Sequence, residues 1–149
     1  MIKKFFVINL FLFILFYTNS YSDKTSYMSL KYNKVNVRYG PGKDYPIKFI
    51  FNKKNYPVEI IDQKENFRKI MDLKKNSGWI HWSQLKKSSS LIVLSEAILY
   101  SDNTKFSRPI AKIEEGRLLN KKKCNLNWCK VETGEYKGWV LKENLWGLN

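Results

Sequence analysis

The sequence predicts an all-β protein made of two tandem small β-barrels of about five strands each. Three observations carry that expectation. Gly78-Trp79-Ile80 and Gly138-Trp139-Val140 close the two halves of the chain, 60 residues apart. The echo extends to either side: Phe67-Arg68-Lys69-Ile70 precedes the first copy as Trp128-Cys129-Lys130-Val131 precedes the second, Pro46-Ile47 is answered by Pro109-Ile110, and Leu85 by Leu145. Matched spacings that drift by a few residues are what a duplicated domain with small loop insertions leaves behind. Finally, apolar residues alternate with period two in short runs, and no stretch carries a 3.6-residue apolar stripe of helical length.

In chain order, residues 1–22 are expected to be a signal peptide. Lys3 and Lys4 precede an apolar run over 5–17, and Ser20-Tyr21-Ser22 supplies the small-x-small pattern of a peptidase site, so the cut is placed after Ser22. A helix over the run rises roughly 20 Å, short of a hydrocarbon core of about 30 Å. The expected location is therefore periplasmic or secreted. Residues 23–29 read as a flexible lead-in.

The first barrel is expected over residues 30–86. Val35 and Val37 alternate with Asn36 and Arg38 as a half-buried strand, and Gly40-Pro41-Gly42 turns the chain. Ile47, Phe49 and Phe51 mark a second strand. Val58 and Ile60 begin a third behind Pro57, whose missing N–H is tolerated at a strand start. Residues 67–71 and 79–82 supply the fourth and fifth.

Residues 87–92 read as a linker, with the apolar 91–94 as a segment that pairs across the boundary. The second barrel is expected over 93–148, with strands near 97–99, 109–113 and 117–120. A hairpin of 128–132 and 136–141 follows, turning at Thr133-Gly134-Glu135. Lobes of this size bury barely enough surface for a core, so Phe67, Trp79, Trp128 and Trp139 are expected to anchor them.

Cys124 and Cys129 are an even pair in an exported chain, which favours a disulfide. Zinc is the rival, but the lone histidine, His81, lies in the other half. The bridge would close a small loop and contribute on the order of 2 kcal/mol. No cofactor or metal is expected.

The formal net charge is +14, falling to +12 once the leader with Lys3 and Lys4 is removed. Such a field attracts polyanions. The lysines come as scattered pairs and one triplet, 121–123, mostly where turns are expected, which is also the pattern of a solvated rim.

Together these residues resemble the bacterial Src homology 3-like (SH3-like) domain family, whose pattern runs N-V/L-R, G-P-x-x-x-Y-P, W-x-x-V, G-W-V/I and a terminal leucine. The first half supplies Asn36-Val37-Arg38, Gly40-Pro41-Gly42-Lys43-Asp44-Tyr45-Pro46, Phe67 to Ile70, Gly78-Trp79-Ile80 and Leu85, with Phe67 in place of the usual tryptophan. The second half supplies Trp128-Cys129-Lys130-Val131 and Gly138-Trp139-Val140, and keeps less of the opening, Ala97-Ile98-Leu99-Tyr100 and Pro109-Ile110. The resemblance covers residues 30–148, and the paired cysteines and the ending Leu145-Trp146-Gly147 look like the exported two-module members found in proteobacteria. It implies tandem SH3-like barrels that act as binding modules in the cell envelope.

The candidate ligand-binding residues are Tyr39, Tyr45 and Trp82, amphipathic rings at turns or strand ends of the first half that suit an aromatic-lined recognition surface. The competing reading of Tyr39 and Tyr45 is ordinary packing under the first loop. His81 has no partner in the sequence for catalysis and reads as a hydrogen-bonded structural residue. Glu114 and Glu115, adjacent on a turn, do not make the carboxylate pair that glycosidases need, and neither cysteine has a histidine base.

The expectation is a non-enzymatic exported module whose partner is a cell-wall component or an envelope protein. The alternative is an electrostatic adaptor holding anionic lipid or polymer with no specific groove. Lysines interleaved with aromatics would also suit single-stranded nucleic acid, but export argues against that partner. Membrane contact is expected only through an uncleaved leader or the lysine rim.

Overall fold

The computed structural model describes residues 26–149; the expected leader, its cut after Ser22 and residues 23–25 lie outside the described residues. The first lobe contains β1 (Ser26–Leu30), β2 (Val35–Arg38), β3 (Ile47–Phe51), β4 (Pro57–Lys64), β5 (Phe67–Met71), β6 (Ser77–His81) and β7 (Leu85–Lys87). The second contains β8 (Ser90–Val93), β9 (Ala97–Tyr100), β10 (Pro109–Ile113), β11 (Leu118–Cys124), β12 (Trp128–Thr133), β13 (Tyr136–Leu141) and β14 (Leu145–Trp146).

The two sheets are ordered β3-β2-β6-β5-β4-β1-β7 and β10-β9-β13-β12-β11-β8-β14. Replacing each strand of the first by the strand seven places later gives the second, so the duplication read from Gly-Trp pairs is a duplication of topology. The expected five strands per lobe are β2 to β6 and β9 to β13. Two further strands flank each set.

Those flanking strands correct the expected boundaries. Residues 26–29 are not a flexible lead-in: β1 pairs antiparallel with β4, Met28 opposite Val58, and with β7, Leu30 opposite Leu85. Nor is 87–92 a linker. Lys87 ends β7, Ser90–Val93 is buried throughout, and only Ser88 and Ser89 lie between the lobes' strands. Residues 91–93 pair within their own lobe, Leu91 with Leu119 in β11 and Val93 with Leu145 in β14, rather than across the boundary. Three successive apolar residues buried on both faces, Leu91, Ile92 and Val93, carry no alternation, which is why their partner could not be read from periodicity.

Each lobe closes on an aliphatic core, not on the expected aromatic plugs. Leu30, Val35, Val37, Val58, Ile70, Ile80 and Leu85 form one core. Leu91, Val93, Ala97, Leu99, Ile113, Leu119, Cys129, Val131, Val140 and Leu145 form the other. Strand alternation explains the exchange: on β6 Gly78 and Ile80 face inward, which turns Trp79 to the outer face, where it is only half-buried. Phe67, Trp128 and Trp139 are buried but stand apart from the two cores. Trp139 is covered from outside by Lys123 and Lys130, whose ammonium groups lie 5.6 and 5.7 Å from its ring centre.

The lobes meet along a polar seam of short side chains. Ser90 Oγ donates to the Asn55 carbonyl, which leaves Ser29 Oγ, 2.9 Å away, to donate to Ser90. Ser29 Oγ in turn accepts from the Ser89 amide at 3.0 Å. Tyr27 stacks edge-on against Trp146 with ring centres 5.0 Å apart, and its backbone exchanges hydrogen bonds with the Asn149 amide side chain. Because the Ser29 and Ser90 hydroxyls have partners, their burial does not carry the cost of unpaired polar groups; the Ser89 hydroxyl beside them is buried without one.

The lysine triplet stands on β11 rather than in a turn. Lys121 Nζ donates to Ser88 Oγ at 3.0 Å, and burial, aided by the nearby Lys87, pulls its pKa below the usual lysine value. Lys122 and Lys137 flank Glu132 across three strands at 2.7 and 3.1 Å. Hydrogen bonds from these two ammonium groups, Lys122 first, hold the Glu132 carboxyl below its ordinary value of 4.5. A depressed carboxyl pKa stabilises the fold above the unfolded value, and the contribution is lost as pH falls through the folded value. The difference in urea midpoint between the parent and Glu132→Gln is therefore expected at neutral pH and should close in acid as the carboxyl protonates, a difference that persists in acid arguing against the assignment.

Candidate functional site

The aromatic end of the first lobe is built where β6 leaves the sheet. A single 3-10 turn, Trp82–Gln84, follows His81, which sits in extended geometry (φ −70°, ψ 138°) and caps the turn. His81 Nδ1 accepts from the Ser83 amide at 3.3 Å and lies 2.7 Å from Ser83 Oγ. The imidazole is thus a capping group, as its solitary place in the sequence suggested.

Trp82 is fixed by its backbone, whose N–H donates to the Asn66 carbonyl at the β4–β5 turn at 2.8 Å. Phe67 meets His81 edge-on with ring centres 5.3 Å apart, and His81 lies 6.2 Å from the Trp82 ring at 35°. The indole itself is 55% exposed. A tryptophan held at its base and open on one face suits stacking against a ligand.

Tyr39 and Tyr45 occupy the loop between β2 and β3. The Tyr39 amide donates to the Pro46 carbonyl at 3.2 Å, and Arg38 Nη1 donates to the Tyr45 carbonyl at 2.7 Å, closing the loop. The Tyr45 ring lies directly on Gly40, where any Cβ would overlap it. The glycine is required by that close approach. Tyr39 is 62% exposed, whereas Tyr45, 48% exposed, packs one side of its ring against the loop at Gly40 and Gly42 and leaves the other side open. Lys48 Nζ stands 5.6 Å over the Tyr39 ring and donates to the Ser77 carbonyl at 2.9 Å.

The three predicted residues do not share one groove. Arg38 pairs with Trp79 in antiparallel register, so Tyr39 falls beside the start of β6 while Trp82 falls beyond its end. Four residues of strand separate them, roughly 13 Å at the usual rise. Tyr39 and Tyr45 mark one end of the lobe, and Trp82 with His81 and Phe67 marks the other.

Two concavities were not legible in the sequence. One, about 590 Å3, lies between the lobes, lined by Lys53 and Asn55 from the first and by Glu114, Arg117 and Asn120 among others from the second. It depends on how the lobes pack, which no local pattern encodes. The other, about 400 Å3, lies at the end of the second lobe among Lys105, Leu126, Trp128, Leu141 and Lys142. An apolar Leu126 between Asn125 and Asn127 in a cysteine-closed turn was the available signal. Cys124 and Cys129 are joined in a disulfide, directly opposite each other on β11 and β12. Among the described residues no group of three His, Cys, Asp or Glu is placed to hold a metal ion, and no helix is long and apolar enough to cross a membrane.

The bacterial SH3 domain family model matches the chain twice, over residues 31–87 and 94–147. The protein belongs to that family, as two tandem SH3-like modules. Among solved structures it is similar to NlpC2 from Trichomonas vaginalis, at 16% identity and a TM-score of 0.38, covering 82% of this chain and 48% of that one. It is likewise similar to NlpC1 from the same organism, at 16% identity and a TM-score of 0.40, covering 85% and 47%. The chain spans about half the length of those structures. No curated protein matches it.

Proposed function

We propose that this protein is an exported, non-enzymatic module that binds a cell-envelope component, peptidoglycan or a partner protein, through the exposed aromatic residues of its first lobe. The observation that carries the proposal is Trp82, an indole open to solvent on a turn capped by His81 and tied to Asn66. Membership of the bacterial SH3 domain family supports an envelope role, and the Cys124–Cys129 bridge suits an oxidising compartment such as the periplasm. The cap that His81 forms through Nδ1 and the bridge that holds both cysteines support the non-enzymatic reading. Tyr39 and Tyr45 extend the recognition surface at the other end of the lobe.

The second reading, an electrostatic adaptor for anionic lipid or polymer, draws on the net charge of +14. Retention on immobilised peptidoglycan at low and physiological salt separates the two. The first reading expects retention that survives raised salt and falls about tenfold in Trp82→Ala, the size expected for losing a central aromatic contact. Retention only in dilute buffer, with Trp82→Ala unchanged, would favour the adaptor, since affinity resting on counterion release drops steeply with salt.

A further inference from the structure

The far end of the second lobe carries two large apolar side chains that the fold leaves in water. Phe106 is 100% exposed and Leu126 86% exposed, each near the tip of a loop. Neither loop is loose. In the loop between β9 and β10, Ser107 Oγ bonds to the carbonyls of Asp102 and Thr104 at 3.1 and 2.8 Å, and the Phe106 amide donates to Thr104 Oγ1 at 3.3 Å. In the turn between β11 and β12, Asn125 Oδ1 accepts from the amides of Asn127 and Trp128 at 3.2 and 2.8 Å, inside the ring closed by the disulfide. The polar side chains point back to fasten each loop, and the apolar one points out. That is the reverse of what solvation alone selects at a loop tip. Lys105, next to Phe106, lines one hollow with Leu126, which brings the two loops to the same end of the lobe, and large apolar side chains exposed together mark an interaction site.

The charges around these tips indicate the partner. Lys105 and Lys142 line the hollow beside Leu126, Arg108 ends the first loop and Lys123 precedes the second. Asp102 and Glu143 are the acidic residues nearby, so cations predominate. Apolar side chains projecting from a basic rim match the boundary between headgroups and acyl chains of an anionic bilayer, where lysines near the surface are attracted to the headgroups. The first lobe lacks the arrangement, since its corresponding turn between β4 and β5 presents Glu65 and Asn66.

We infer that this end of the second lobe docks on the surface of an anionic lipid bilayer, with Phe106 and Leu126 entering the interface and the lysines meeting headgroup phosphates. Because both loops are fastened before contact, docking costs little ordering entropy. The first lobe then remains free to engage its own ligand.

The test is co-sedimentation of the full chain with vesicles of phosphatidylcholine alone or with about 30% phosphatidylglycerol, a fraction in the range that gives lysine-rich surfaces measurable attraction. Phe106→Ser/Leu126→Ser is compared with the parent, the two sharing the same leader. The inference expects the parent to bind the anionic vesicles and the double variant to bind them at least about tenfold more weakly, as loss of two interfacial apolar groups requires. It also expects Lys105→Gln/Lys142→Gln to weaken anionic binding without affecting neutral vesicles. Equal binding of parent and Phe106→Ser/Leu126→Ser would overturn the inference, as would equal binding to the two lipid compositions. Circular dichroism confirms that both variants fold, and unchanged retention of the Phe106→Ser/Leu126→Ser chain on peptidoglycan keeps this result separate from the proposal for Trp82.

Discussion

Alanine at Gly138 is expected to destabilise the protein by about 3 kcal/mol, the upper part of the usual range for overpacking. A Cβ there overlaps the Tyr100 carbonyl oxygen, comes within 2.8 Å of Leu99 Cγ and lies 3.1 Å from Ile110 Cδ1. The first of these is backbone in the neighbouring strand β9, held by the ladder, and it cannot rotate away. Gly78 is the counterpart in the first lobe, where a Cβ meets Val37 Cγ1 and lies 2.9 Å from the Arg38 carbonyl oxygen. Gly134→Ala is the control. Its φ of 56° makes a side chain strained, yet nothing lies within 4 Å, so the cost should stay near 1 kcal/mol. Urea midpoints of the three variants check the order; a Gly138→Ala protein as stable as the parent would mean that β9 and β13 are not packed as described.

Truncating a core leucine should rank close behind. Leu119→Ala is expected to cost about 2–5 kcal/mol, the transfer term plus the cavity left in a packed aliphatic cluster. Leu119 is wholly buried between β8 and β12, in the same cluster as Leu91 and Val131. Trp79→Ala removes a larger side chain, but one half-buried on the outer face, and should cost less. Equilibrium denaturation of the two variants decides the matter, because the opposite order would restore the aromatic plug that the sequence suggested.

That reversal shows where sequence reasoning succeeded and where it stopped. The duplication was legible because glycine and tryptophan are fixed by backbone approach and outer-face packing at matched sites in both copies. The hairpin of β12 and β13 was legible because Gly134 sits at a turn that needs positive φ. Face assignment failed at Trp79 because size was weighed above alternation, although Ile80 on the opposite face was the better core residue. β1 was missed because Ser26 and Ser29 look polar; Ser29 is buried by the other lobe, a fact that no local pattern carries. Tyr39, Tyr45 and Trp82 stand at turns or strand ends as their neighbours in the sequence suggested, but their separation followed only from the strand register. Phe106 and Leu126 escaped notice because an apolar residue in a short polar loop resembles noise until its exposure is known.

The claim on which the account rests is that one seven-stranded unit occurs twice, each copy with its own aliphatic core. Native-state hydrogen exchange read residue by residue tests it most directly, since amides in a stable core open only with global unfolding. The account predicts two matched sets of slowest amides, around Ile70 and Ile80 in the first lobe and around Val131 and Val140 in the second. Strong protection confined to one lobe, with the amides of the other exchanging freely, would contradict it.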